Sequence, residues 1–154
     1  MKTRTLLFAL AVCFAGAVAG FAQSPQMGTW KLNEVKSWIP AGFPKNTRIV
    51  YEAAGDKVKV STDGMSRDGK ATHTEWTGKF DGKDYPVSGD PILDTRAYKM
   101  VDDHTLTMIN KKGDKVVSSG RIVVATDGKT RKVTLNGTDA DGKKASGVTV
   151  YDKQ

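Results

Sequence analysis

A chain of 154 residues, 38% hydrophobic and 27% charged, is long enough for one hydrophobic core and too polar to be a set of membrane-spanning helices. Its 24 Lys and Arg against 17 Asp and Glu give a formal charge of +7, but these charges are interspersed and form no basic block, which argues against a nucleic-acid footprint. One cysteine and two histidines leave too few ligands for a disulfide framework or a clustered zinc site.

The first residues have the three-part layout of a secretory leader. Lys2 and Arg4 supply positive charge, residues 6–18 are apolar, and small residues follow. The apolar run is shorter than the roughly 20 residues that cross a bilayer as a helix, and no later segment matches it, so no membrane span is expected. Cleavage after Ala22 uses Gly20 and Ala22 as the small positions; cleavage after Ala19 uses Ala17 and Ala19. Cys13 follows Val12 where a lipid-carrying cysteine follows Gly, Ala or Ser, and the apolar run continues past it, so the segment reads as a removable leader, 1–22. Its removal takes away Lys2, Arg4 and the only cysteine, and no acid, so residues 23–154 carry a formal charge of +5 and no thiol nucleophile. A secreted or periplasmic single domain is expected.

The first strand falls at Gly28-Thr29-Trp30-Lys31-Leu32, with Trp30 facing one way and Lys31 the other. Residues 34–46 contain Pro40, Gly42 and Pro44, which break helices, so a loop with at most one helical turn is predicted. That loop carries Trp38, Ile39 and Phe43, which either plug one end of the fold or form a lid over a ligand.

From Arg48 onward apolar residues recur with period two, the signature of half-buried strands. Ile49 and Tyr51 share a face, as do Val58, Val60 and Thr62, and then Thr72, Thr74, Trp76, Gly78 and Phe80. His73, Glu75, Thr77 and Lys79 occupy the opposite, polar side. Four Asp-Gly-Lys tripeptides, at 68–70, 81–83, 127–129 and 141–143, read as hairpin turns, because Gly accepts positive φ and Asp bonds its own backbone. Their unequal spacing excludes a solenoid repeat. Residues 85–93, with Pro86, Gly89 and Pro91, predict an edge-like or irregular segment. Strands follow at 95–101, 105–111, 115–125, 130–138 and 145–152.

The result is all-β, with about nine to ten strands, each joined to the next by a short turn. A single antiparallel up-and-down β-barrel accounts for this pattern, since closure removes the sheet's edges. The inner faces mix apolar with small polar residues, as in Val116, Ser118, Gly120, Ile122 and Val124, or Leu106, Met108 and Asn110. A dry sandwich core would hold fewer such groups, because each buried polar group without a partner costs about 1 to 3 kcal/mol. A cavity with water or ligand relieves that cost.

Gly28-Thr29-Trp30 resembles the Gly-x-Trp opening strand of the calycin superfamily, the lipocalins and fatty-acid-binding proteins. The resemblance implies a lipocalin-like barrel over 23–154 with Trp30 closing one end, and the leader is similar to that of bacterial secreted members. Fatty-acid-binding proteins add two helices after the first strand, for which 34–46 is too short. They also grip a carboxylate with Arg-x-Tyr in the last strand, where this chain reads Thr149-Val150-Tyr151 and so lacks the Arg. Arg131 shares a face with Val133 and Leu135; it either supplies the missing guanidinium or, at the start of its strand, reaches solvent.

No catalytic signature is present. Gly-x-Ser-x-Gly, phosphate loops and dinucleotide fingerprints are absent, Asp102 and Asp103 sit in a turn, and 138–142 lacks the later acids of a calcium loop, so neither an enzyme nor a metal or cofactor protein is expected. The leading expectation is a monomeric holder of a small apolar, lipid-like ligand, with Trp38, Phe43, Tyr51, Trp76, Met108 and Arg131 as contacts. The alternative is an envelope structural or interaction module whose barrel is filled by its own side chains.

Leader removal is directly measurable. Intact mass of the exported protein should correspond to a chain beginning near Gln23 or Gly20, and a product retaining Met1 would refute the reading.

Overall fold

The computed structural model describes residues 24–139 and 141–154. The leader, Cys13 and both cleavage positions lie outside them. The described residues form ten strands: β1 (Gly28–Leu32), β2 (Lys45–Ala54), β3 (Lys57–Met65), β4 (Ala71–Gly78), β5 (Tyr85–Ser88), β6 (Thr95–Asp102), β7 (Thr105–Lys112), β8 (Lys115–Val124), β9 (Thr130–Thr138) and β10 (Lys144–Lys153). Each pairs antiparallel with its neighbours in sequence, and β1 pairs with β10, so the sheet closes on itself as an up-and-down barrel.

The closing seam is short, because β1 has five residues and meets β10 only over Trp30↔Lys153, Lys31↔Asp152 and Leu32↔Tyr151. The chain after β1 continues the pairing. Asn33 N–H donates to the Val150 carbonyl at 2.8 Å, and Trp38 and Val148 exchange backbone hydrogen bonds of 2.7 and 2.8 Å. Instead of a helical turn, the 34–44 segment holds two tight turns, closed by Ser37 N–H to Glu34 O at 3.2 Å and Phe43 N–H to Pro40 O at 3.1 Å.

The period-two pattern sorts side chains as expected in most strands. Ile49, Tyr51, Val58, Val60, Trp76 and Leu106 are all buried, while His73 and Thr77 face solvent. Two expectations fail for local reasons. Val116 was expected inside but is exposed, because Lys111 opposes Val116 and Asn110 opposes Ser118, leaving Val117 as an extra, bulged residue. A bulge shifts the alternation by one, so Val117 turns inward in place of Val116. The Asp81-Gly82-Lys83 turn also does not close a hairpin: Gly82 N–H donates to Tyr98 O at 2.8 Å and Met100 N–H to Phe80 O at 3.0 Å. Residues 80–82 thereby pair with the stretch of β6 that the four-residue β5 is too short to reach.

At one end the barrel is filled. Trp30 is fully buried, its indole N–H donates to the Gln26 carbonyl at 2.9 Å, and the Gln26 amide donates to His104 O at 3.0 Å. Trp76 stands edge-on to Tyr98 with ring centroids 4.9 Å apart and stacks against Phe80 at 6.3 Å. These contacts are a packed aromatic floor. Trp30 therefore closes one end, as the Gly-x-Trp resemblance implies.

Cutting Trp30 to Ala removes the centre of this floor and should cost about 3 to 5 kcal/mol in urea unfolding, whereas Lys31→Ala on the outer face should cost little. Equal small losses in the two variants would show that β1 does not organise the core.

Candidate functional site

Above the floor the barrel is hollow. A cavity of about 630 Å³ occupies the half toward the connections at 33–44, 66–70, 89–94, 113–114 and 139–143. Its wall combines apolar Ile49, Met108, Val133 and Leu135 with Thr72, Thr74, Asn110 and Ser118, the inner-face polar residues that the sequence singled out. Self-filling describes the closed half of the barrel and not the open half.

The 34–44 loop leans over this cavity. It can approach because β10 presents a glycine beneath it: a Cβ on Gly147 would lie 2.8 Å from Pro40 Cδ. Ile39 packs on the core cluster and Phe43 lines the cavity, while Trp38 lines its rim with 63% of its surface exposed. The loop covers the mouth in part, and the plug is the Trp30 floor below.

Of the six residues expected to touch a ligand, Trp38, Phe43, Met108 and Arg131 line the cavity. Tyr51 and Trp76 do not. Both are buried in the floor, since each lies one inward step nearer the closed end than Ile49 and Thr74, the lining residues of their strands.

Arg131 faces inward, not to solvent, and only 2% of its surface is exposed. Its register explains this: it sits between Val124 of β8 and Tyr151 of β10, both buried, and shares its face with Val133 and Leu135. The guanidinium lies over three aromatic faces, 4.6 Å from the ring centre of Tyr51, 5.8 Å from Tyr151 and 5.9 Å from Trp30. Such faces offset part of the lost hydration of a cation. Nη2 donates to the Tyr51 hydroxyl at 2.8 Å, but Nε and Nη1 are buried without an acceptor.

From Tyr51 a polar chain crosses the interior. The Tyr51 hydroxyl donates to Tyr98 Oη at 3.5 Å, and Arg96 Nη1 donates to the same oxygen at 3.4 Å. Arg96 Nε donates to Asn110 Oδ1 at 2.7 Å, and Asn110 Nδ2 donates to Ser118 Oγ at 2.8 Å. Burial pushes the Tyr51 phenol far above its ordinary range, against the opposing pull of the Arg131 charge, and burial likewise raises Tyr151. Both tyrosines stay neutral donors and acceptors. They cannot balance the guanidiniums as phenolates.

Sequence reasoning missed Arg96. The available signal was its position two residues before Tyr98, which places both on one face of β6, but nothing in the pattern told that face from the outer one. His73 lies outside the barrel, where its ring meets Asp63 at 2.6 Å; that carboxylate raises its basicity without bearing on the cavity. In the 138–142 segment, Asp139 Oδ1 accepts from the backbones of Asp141 at 3.0 Å and Lys143 at 2.9 Å, which is turn chemistry.

No protein-family model matches the chain, and no curated protein matches it. Among solved structures it is similar to a redesigned beta barrel, mFAP1, bound to DFHBI, with a TM-score of 0.44 and 12% identity over 85% of this chain and 98% of that one.

A buried charge with two unfilled donors is a burden on the unliganded fold. Arg131→Met, which keeps the volume and drops the charge, should therefore unfold at the same urea concentration as the parent or a higher one. A loss of about 3 kcal/mol or more would show that the aromatic contacts make Arg131 a structural element of the floor.

Proposed function

We propose that this chain is an exported, monomeric, non-enzymatic holder of a small amphipathic ligand. The apolar body lies against Met108, Val133, Leu135 and Phe43, and an acceptor at its inner end meets Arg131. The observation that carries the reading is Arg131, which lines the cavity, is 2% exposed, and has its guanidinium Nε and Nη1 buried without a partner. Buried donors without acceptors are rare because each costs about 1 to 3 kcal/mol. A ligand carboxylate supplies the acceptors as charge-assisted hydrogen bonds, which are the stronger kind.

Export rests on the leader at 1–22, and placement among lipocalin-like barrels rests on the Gly28-Thr29-Trp30 opening and on Trp30 closing the floor. The apolar character of the ligand's body follows from the wall that it would touch. Among the described residues that line the cavity there is no His or Cys, and binding is the activity proposed.

Octanoate tests the reading. Added to the exported protein, it should quench tryptophan fluorescence saturably and raise the melting temperature with concentration, because it binds the folded state alone. Phe43→Ser should weaken the response and Arg131→Met should abolish it. A parent protein whose fluorescence and melting temperature ignore octanoate, octyl sulfate, octyl phosphate and octylmalonate alike would overturn the holder.

A further inference from the structure

We infer that the ligand's head is a compact dianion, held jointly by Arg131 and Arg96, on an apolar tail that points to the mouth. The inference rests on the holder reading above and deepens it by counting charge. Both guanidiniums line the same cavity. They are tied to one hydrogen-bonded chain through the hydroxyls of Tyr51 and Tyr98.

Among the described residues no carboxylate pairs with either of them. Residues 1–23 contain no Asp or Glu, so that segment cannot supply a partner. Three acids do line the cavity, but at its mouth, and each is engaged there: Asp68 with Lys70, Asp90 with the Ile92 backbone, and Asp139 with its own turn. Burial keeps the Tyr51 hydroxyl beside Arg131 protonated.

Of the four cationic side chains that line the cavity, Arg67 and Lys115 are exposed to solvent, whereas buried Arg131 and half-buried Arg96 repel each other as well as lacking counter-charge. A monoanion balances one and leaves the other. A head with two negative charges balances both, and because only three hydrogen bonds, of 2.8, 3.5 and 3.4 Å, join the guanidiniums, the inferred head carries its charges on one group or on one carbon. An alkyl phosphate monoester and an alkyl malonate share this chemistry.

The decisive comparison pairs octyl sulfate with octyl phosphate, which match in tail and head shape and differ by nearly one charge at pH 8. Calorimetric titration of the exported protein at pH 8 should show octyl phosphate binding at least about tenfold more tightly. The preference should fade by pH 5, where the phosphate holds its second proton; no histidine lines the cavity to confound the comparison. Arg96→Gln should bring the phosphate-to-sulfate ratio close to one. Octylmalonate binding above octyl phosphate would make the head a dicarboxylate, and the reverse a phosphate. Equal affinity for sulfate and phosphate at pH 8 overturns the dianion, even if both bind; failure of all three probes and octanoate overturns the holder itself.

Discussion

Pairing of β1 with β10 is the constraint on which the rest of this structure depends, because a sheet that closes has an inside. Three residue pairs make the seam, and the fully buried Trp30 sits within it. Closure leaves no strand edge to protect, so side chains on the inner face answer only to packing and to one another. The inner face can then be divided, with bulky rings filling one half and smaller residues leaving the other hollow. An open sheet with the same residues would have to cover Asn110, Ser118 and Arg131 with another layer and satisfy them there.

The division follows side-chain size along each strand. On β2 and β4 the inward residues grow toward the closed end, from Ile49 to Tyr51 and from Thr74 to Trp76, and the floor forms where the large ones meet. Arg131 marks the boundary, its guanidinium lying over floor rings while the residue also lines the cavity. The floor supplies cohesion, and the hollow half carries the polar series Arg96, Asn110 and Ser118.

Much of the architecture was legible because period two is robust and closed barrels use it throughout. The turns were legible where Asp-Gly joined paired strands, and Gly69, Gly128 and Gly142 do adopt positive φ, at 78°, 69° and 78°. Val116 was misread because a bulge leaves no local signature: inserting one residue changes which side chain faces in without changing composition. The site was harder to read than the fold. Tyr51 and Trp76 carry ligand-like chemistry, but depth along the barrel axis, not residue type, decides whether a ring lines a cavity or paves its floor. Arg131 faces inward through register with Val124 and Tyr151, a pairing that links positions far apart in the chain. The role of Arg96 emerges only once Tyr98, Tyr51 and Arg131 are seen as one hydrogen-bonded series.

The backbone exchange between Trp38 and Val148 has a mechanical meaning for traffic through the mouth. It makes the chain just after β1 both the last clasp of the hoop and the root of the flap above the cavity. A swing that carried Trp38 outward would break two hydrogen bonds of the seam and begin to unzip the cylinder from its rim. A swing confined to 39–44, bracketed by the stiff Pro40 and Pro44, leaves the hoop intact. Any hinge that opened the mouth without loosening the wall would therefore lie just beyond Trp38, within the six residues 39–44.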